Sequence, residues 1–318
     1  MRLKAILRLT TGAIIATGFA SAASAADSVS VAIGHKGIWD SMIVEQCIES
    51  GICGKAGLDI HTTWTSGGSS TLQAAITGST DFAMTNGTLG VLAAFSRGAP
   101  IRIVSAEATG VHDMFWYVRK GSPLKTLKHA KGTIGYSEPG SSTNLAELAL
   151  VKHFKADLKL VPTGGISATR TQVLSRQVNV GWSVPPFGLD LVQKGKIRII
   201  ARGGDIPSLS KVTVRVNVAN LNFLKKHRDV AKRFVQAYAK TIDWMYANPD
   251  KALKLYMKVN HIDMKTARLA MSFYPKAALN PARVAGMKTI NHDAVAMHKL
   301  EKPLSKKQLA EVVDILTK

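Results

Sequence analysis

Acidic residues are scarce in this 318-residue chain: Asp and Glu number 21 against 42 Lys and Arg, a formal net charge of +21. Cysteine is scarcer, two in all, which excludes a disulfide-dense scaffold and a four-thiolate zinc centre. Aromatics make up 6% of the chain and do not interleave with the basic runs, so stacking on nucleic-acid bases is poorly supported. No apolar run reaches the ~20 residues of a membrane-spanning helix. Catalytic and cofactor motifs are missing too: there is no His-Glu-x-x-His, Walker loop, Gly-x-Gly-x-x-Gly or Gly-x-Ser-x-Gly. Gly135-Tyr-Ser-Glu-Pro stops one glycine short of the last of these. The histidines are scattered, His292 and His298 lying off the i, i+4 spacing of a helical metal pair. No cofactor, no metal and no enzymatic activity is expected.

Apolar residues, at 46%, are plentiful enough for large cores and exclude disorder. The length suits one large or two medium domains. Residues 1–25 read as a secretory signal. Arg2, Lys4 and Arg8 precede a mostly apolar stretch from Leu9 to Ala20, and Ala23-Ser24-Ala25 is the small-x-small pattern of cleavage after Ala25. A soluble chain exported to the periplasm is the expected product. Export permits a disulfide. Cys47 and Cys53 match no redox or metal motif, and Gly51 suits a left-handed turn that folds one back towards the other. A bridge worth about 2 kcal/mol is favoured, with two separate buried thiols as the alternative.

The charge is unevenly spread. Residues 26–112 carry 4 basic and 7 acidic side chains, residues 113–212 carry 15 and 6, and the remainder carries 20 and 8. Basic runs such as Lys225-Lys-His-Arg228 alternate with apolar positions at helical spacing and read as solvated helix faces. A nucleic-acid partner is therefore not expected, and the charge is expected to help draw small anions towards a cleft.

Short β-branched runs alternate with helical patterns. Strands are predicted at 29–33, 58–64, 81–84, 101–104, 114–118, 133–136, 158–161, 178–182 and 197–200, with helices between most of them and one starting near Asp40 as N-cap. This alternation predicts βαβ units and mostly parallel sheets. After Val212–Asn217 the chain reads as successive helices, the first over about 221–246, punctuated by Pro249, Pro275, Pro281 and Pro303. Ser66–Ala83 and Thr163–Val180 share one layout of Gly-Gly turn, helix, turn and strand, which suits two similar lobes facing one cleft.

Two Gly/Ser turns open helices, Thr65-Ser-Gly-Gly-Ser-Ser70 and Glu138-Pro-Gly-Ser-Ser-Thr143. Each offers unpaired backbone N–H groups, hydroxyls and the positive end of a helix dipole. Both follow strands, where ligands of open α/β sheets bind. His35, at the end of the first strand, is a further candidate ligand contact. The tryptophans near strand ends read as core by default, and Trp182 is the best candidate for a cleft wall.

Three stretches carry a resemblance: Ser66-Gly-Gly-Ser-Ser with Ala74-Ala-Ile-Thr-Gly-Ser-Thr-Asp-Phe-Ala83, then Gly135–Thr143, then Phe223–Tyr238 with Trp244 and Asn248-Pro-Asp250. In order and spacing the chain resembles the periplasmic substrate-binding proteins of nitrate/sulfonate/taurine-type ABC importers, close to the pyrimidine-precursor binders. The resemblance implies a two-lobed α/β periplasmic-binding-protein-like fold of type II, with two hinge crossings and a helical C-terminal segment. Lobe one would take 26–110, lobe two 111–210, and 211–318 would return to lobe one. The ligand set would be His35, Trp39, Ser66, Gly67, Gly68, Ser69, Ser70, Thr85, Asn86, Ser141, Ser142, Thr143 and Trp182. The implied function is capture of a small organic anion, sulfonate or carboxylate, for an inner-membrane ABC permease. A pyrimidine or thiamine precursor, nitrate, or an exported enzyme of the same fold are the alternatives.

Overall fold

A computed structural model describes residues 26–317; the secretory signal read at 1–25 lies outside the described residues. The first sheet contains β1 (Asp27–Gly34), β2 (Leu58–Thr65), β3 (Phe82–Gly87) and β4 (Ile101–Thr109), joined by the helices α1 (Ile43–Glu49), α2 (Ile52–Lys55), α3 (Gly68–Thr77) and α4 (Thr88–Ser96). The chain then crosses to β5 (Phe115–Arg119), β6 (Lys131–Tyr136), α5 (Ser142–Phe154), β7 (Asp157–Pro162), α6 (Ile166–Leu174), β8 (Gly181–Ser183), α7 (Leu189–Gln193) and β9 (Ile197–Arg202). It crosses back into β10 (Thr213–Asn220) and ends in α8 (Leu221–Lys226), α9 (Arg228–Ala247), α10 (Pro249–Asn260), α11 (Met264–Met271), α12 (Met287–Ala296) and α13 (Lys306–Val312).

The first sheet has the order β2-β1-β3-β10-β4, parallel for β2, β1 and β3 and antiparallel around β10. In the second lobe β8-β5-β9 is antiparallel and β6-β7 parallel. One parallel bridge, Ile134 to Val180, unites them: Gly135 N–H donates to Val180 O at 2.8 Å and Val180 N–H to Thr133 O at 3.0 Å. The resulting order β7-β6-β8-β5-β9 repeats that of the first lobe, with β5 in the place of β10. The two segments of shared layout, 66–83 and 163–180, hold α3 and α6, the corresponding helices. The sheets are mixed where mostly parallel ones were expected, because each lobe receives one strand, β5 or β10, from a chain that arrives through a crossing and runs against its neighbours.

Two local expectations are corrected. Asp40 does not cap α1, whose N-cap is Met42; the Asp40 side chain is drawn into a buried ion pair with Arg215, Oδ2 to Nη2 at 3.0 Å. The first C-terminal helix is broken at His227, which leaves the helical region (φ −133°, ψ 45°). The two pieces serve different surfaces, α8 lying on β10 and α9 on α1 and α2. Cys47 and Cys53 are buried and joined by a disulfide, S–S 2.04 Å, in the core beneath α9. The C-terminal segment extends the first sheet: Asp314 N–H donates to Ile103 O and Leu316 N–H to Val104 O along β4.

The two crossings, between β4 and β5 and between β9 and β10, run against each other. Gly110 N–H donates to Val212 O at 2.9 Å and Gly203 N–H to Met114 O at 2.8 Å. The approach at Gly203 is so close that a Cβ there would overlap the Val111 carbonyl oxygen. Gly203→Ala is therefore expected to lower stability by about 1–3 kcal/mol through overpacking, read as a reduced melting temperature, whereas Gly204→Ala, which has open space, leaves it unchanged.

Candidate functional site

The carboxyl ends of the parallel strands of both lobes face each other. β1 ends at Gly34 and hands on His35; β3 ends near Thr85; β6 hands on Ser137 and the turn into α5; β8 carries Trp182. These chain ends are held in tight register. A Cβ on Gly34 would come within 2.5 Å of Thr85 Oγ1, and one on Gly68 within 2.5 Å of Thr85 O. Thr85 itself has φ 63°, a costly conformation for a β-branched residue. Its N–H donates to Asn217 Oδ1 (3.2 Å) and its hydroxyl accepts from Gly34 N–H (2.9 Å), which holds it there.

Between these ends lies a cavity of about 20 Å³, lined by His35, Gly68 and Thr85 from one lobe, by Ser141, Ser142, Thr143 and Trp182 from the other, and by Arg215 on β10. That volume holds about one water, so the lobes are closed on each other. The closing contacts are specific. Ser66 and Ser70 hydroxyls donate to Glu138 Oε1 at 3.4 and 3.3 Å, and Ser69 donates to Pro139 O at 3.3 Å. Gly90 N–H donates to Gly140 O at 3.1 Å, and a Cβ on Gly87 would come within 2.5 Å of that same oxygen. His35 meets Trp182 edge to face at 5.8 Å.

The sequence-predicted residues thus divide into three places. His35, Gly68, Thr85, Ser141, Ser142, Thr143 and Trp182 line the cavity. Ser66, Ser69 and Ser70 form its rim and bind the opposite lobe, with Gly67 packed between His35 and Glu138. Trp39 and Asn86 are elsewhere. Trp39 is fully buried in the lobe-one core, its Nε1 donating to the Tyr246 hydroxyl (3.3 Å) and its ring meeting Tyr256 at 5.1 Å. Asn86 lies behind the cavity and ties β3 to β10, donating to Ala83 O and Val216 O.

Arg215 is the principal residue that the sequence reading missed. Its one legible signal is its isolation, a single charge in the otherwise uncharged strand Thr213–Asn220. Its side chain is 5% exposed and pairs with Asp113 at 2.8 Å and Asp40 at 3.0 Å. Burial works against its charge, but Asp113 and Asp40 outweigh it and raise its pKa. Burial also raises Asp40 despite Arg215, and holds the nearby Glu107 well above the carboxylate range. His35 is pushed down to about 4, by burial first and the Arg215 charge second, so it is a neutral imidazole at physiological pH. Among the residues that line the cavity, two carry a buried donor without a protein partner: the Trp182 indole N–H and Arg215 Nε. With the N-terminal turns of α3 and α5 they make the cavity rich in donors.

Comparison with known proteins places this geometry. The model of the NMT1/THI5-like family matches residues 49–252. The chain belongs to that family. Solved structures of the same fold include the alkanesulfonate-binding protein SsuA from Xanthomonas axonopodis pv. citri bound to MOPS, 15% identical, with a TM-score of 0.74 and coverage of 91% of this chain and 98% of that one. The Candida albicans CA3427 gene product, described as having the generic periplasmic binding protein fold, is 16% identical with a TM-score of 0.72 and coverage of 91% and 96%. The periplasmic aliphatic sulphonate binding protein SsuA from Escherichia coli is 15% identical with a TM-score of 0.67 and coverage of 88% and 91%. Among curated protein sequences none matches this NMT1/THI5-like chain. At these identities the likeness establishes the periplasmic-binding-protein fold, two α/β lobes joined by two crossings.

The closed geometry has two measurable consequences. Removing the Glu138 carboxylate deletes its two rim contacts, with the Ser66 and Ser70 hydroxyls, worth about 1 kcal/mol together for exposed hydrogen bonds. Glu138→Ala should therefore shift the lobes apart about fivefold, read as a larger radius of gyration in solution scattering. His35 binds a proton less readily in the closed protein than in the unfolded chain. Its contribution to stability is thus complete above about pH 6.5, the ordinary histidine value, and is lost as pH falls towards 4. Melting temperature should drop more steeply over that window than in His35→Asn, a substitution compatible with the left-handed backbone of His35 (φ 54°).

Proposed function

We propose that the protein is the extracytoplasmic solute-binding component of an ABC importer, capturing a small organic anion, sulfonate or carboxylate, between its lobes and delivering it to a membrane permease. One observation carries the reading: the cavity lies where the N-terminal turns of two helices on opposite lobes converge with the unpartnered Trp182 N–H and Arg215 Nε. A helix N-terminus contributes about 0.3–1 kcal/mol to an anion when exposed and up to ~2 when partly buried. Micromolar affinity needs about 8 kcal/mol, within reach of two such ends and several hydrogen bonds. An organic solute far exceeds 20 Å³, so uptake requires the lobes to part along the two crossings and close again on the ligand. The resemblance to sulfonate-binding structures supports the ligand class, and the secretory signal read in the sequence at residues 1–25 supports the periplasm as its place of work. No helix among the described residues is long and apolar enough to cross a membrane.

A second reading, a neutral heterocycle such as a pyrimidine precursor, is supported by the balance of charge. Arg215 is matched by Asp113 and Asp40, and the aromatic faces of His35 and Trp182 flank the cavity. An enzyme of this fold is less well supported, since the cavity brings together no nucleophile and base within hydrogen-bonding distance.

A thermal-shift screen of alkanesulfonates, carboxylates, nitrate and pyrimidines separates these readings. A ligand at about 100 times its Kd adds about 2.7 kcal/mol to stability, roughly 5 °C for a chain of this size. Stabilisation by pyrimidines alone would overturn the anion reading. Trp182→Phe, which keeps the ring and removes the N–H, is expected to weaken the responding ligand about tenfold, as loss of one buried hydrogen bond does.

A further inference from the structure

The second lobe carries a cluster of cations that the ligand site does not use. In its sheet β6 and β7 begin, β5 ends and β9 begins at one end, the end opposite the cavity, because β5 runs antiparallel to both β8 and β9. Exposed lysines gather there: Lys120 after β5, Lys125, Lys128 and Lys131 ahead of and within β6, Lys155 after α5, and Lys196 ahead of β9. Asp157 and Asp190 are the acidic residues at that end, and among the described residues its one ion pair is Lys194 with Asp190 at 3.7 Å.

The other basic region, the helical tail, is different. There Arg228 pairs with Asp314, Arg233 with Asp27 and Asp229, Arg268 with Asp250 and Lys276 with Asp243. Four tail cations are thus held in ion pairs, whereas none of the six lysines at the end of lobe two is in an ion pair among the described residues.

Steering of the ligand does not account for this end. α5 runs from the cavity at Ser142 over 13 residues, about 20 Å at ~1.5 Å per residue, while charges are screened over about 8 Å at physiological ionic strength. No exposed Phe, Tyr or Trp stands among these lysines to stack on bases. Six of its cations are lysines, point charges suited to a smeared negative surface; exposed Arg176, after α6, stands at the same end, and the Arg198 guanidinium donates to the Lys120 and Leu124 carbonyl oxygens. Leu174, 44% exposed at the C-terminal end of α6, brings an exposed apolar side chain to the same end of the lobe.

We propose that this end of lobe two docks on an anionic lipid surface, the lysines meeting headgroup phosphates and Leu174 entering the interfacial layer. Polybasic patches bind such surfaces in proportion to their charge, and exposed leucines add apolar contact there. For a solute-binding protein the surface would be the membrane that holds its importer, so the biological setting rests on the function proposed above. The binding itself does not, because its assay contains neither solute nor permease.

The experiment is co-sedimentation of the protein with phosphatidylglycerol/phosphatidylcholine vesicles against pure phosphatidylcholine, at about 50 and about 300 mM salt. Binding is expected to the anionic vesicles alone and to weaken with salt. Lys125→Glu/Lys128→Glu/Lys131→Glu should reduce it at least about tenfold, and Leu174→Ser severalfold. Lys225→Glu/Lys226→Glu/Lys232→Glu, an equal change of net charge on the tail, should change it less than about twofold. Melting curves confirm that each variant is folded. Absence of wild-type binding at low salt, or equal losses in the two triple variants, overturns the proposal. So does tighter binding to duplex DNA at matched phosphate concentration, which would assign the patch to nucleic acid instead.

Discussion

The buried pair of Arg215 with Asp113 and Asp40 is the interaction on which the rest of the arrangement depends. It joins three parts of the chain: the turn after β1, the first crossing between lobes, and β10, the strand that returns from the second crossing. Burying these charges in an apolar core without partners would cost several kcal/mol per ion, and removing one member of such a group typically costs about 3–5 kcal/mol. The crossings therefore cannot slide on the first lobe without exposing or orphaning a charge. The same pair sets the floor of the cavity. Because Arg215 is balanced from below by two carboxyl groups, it offers the cleft an N–H donor with little excess charge.

Recognition above that floor falls to neutral groups. Burial, helped by the Arg215 charge, keeps His35 neutral, and the remaining donors are backbone N–H groups, hydroxyls and the Trp182 indole. Helix ends can balance an anion in this way because their N–H groups are already aligned and need no reorganisation. The glycines serve this geometry rather than the chain's flexibility. Gly68 lets α3 begin against the Thr85 carbonyl, and Gly87 lets the start of α4 meet Gly140 across the cleft. A side chain at Gly68 would push α3 off β3 within the first lobe, and one at Gly87 would hold the lobes apart by the width of a Cβ, so that the two helix ends would no longer converge.

How much of this was legible in the sequence depends on how local each feature is. Strand, turn and helix N-terminus lie within ten residues of one another, so the residues at the ends of β1, β3, β6 and β8 and at the start of α3 could be found by pattern. Seven of them do line the cavity. Trp39 failed because nearness to a strand end says nothing of where a side chain turns, and its partners Tyr246 and Tyr256 lie some 200 residues on. Asn86 failed for a related reason: it follows Thr85, and adjacent residues of a strand face opposite sides. Arg215 was invisible as a site residue because its meaning comes from Asp113, 102 residues away. The break at His227 was missed because periodicity sees a continuous apolar face, whereas α8 and α9 pack on different elements.

A site built this way separates fold from ligand. The donors that balance an acceptor-rich group are mostly backbone, so almost any sequence that keeps the two helix starts and their glycines preserves them. What a solute meets beyond that group is decided by side chains on the opposite lobe, Met114, Trp182 and Val184, and by the Glu138 carboxylate at the rim. These can change without disturbing either sheet. At 15% identity a relative can therefore share the helix-end cradle and differ wholly in the body of its ligand. Under the proposed function, the wall residues are where this chain would carry the identity of its solute.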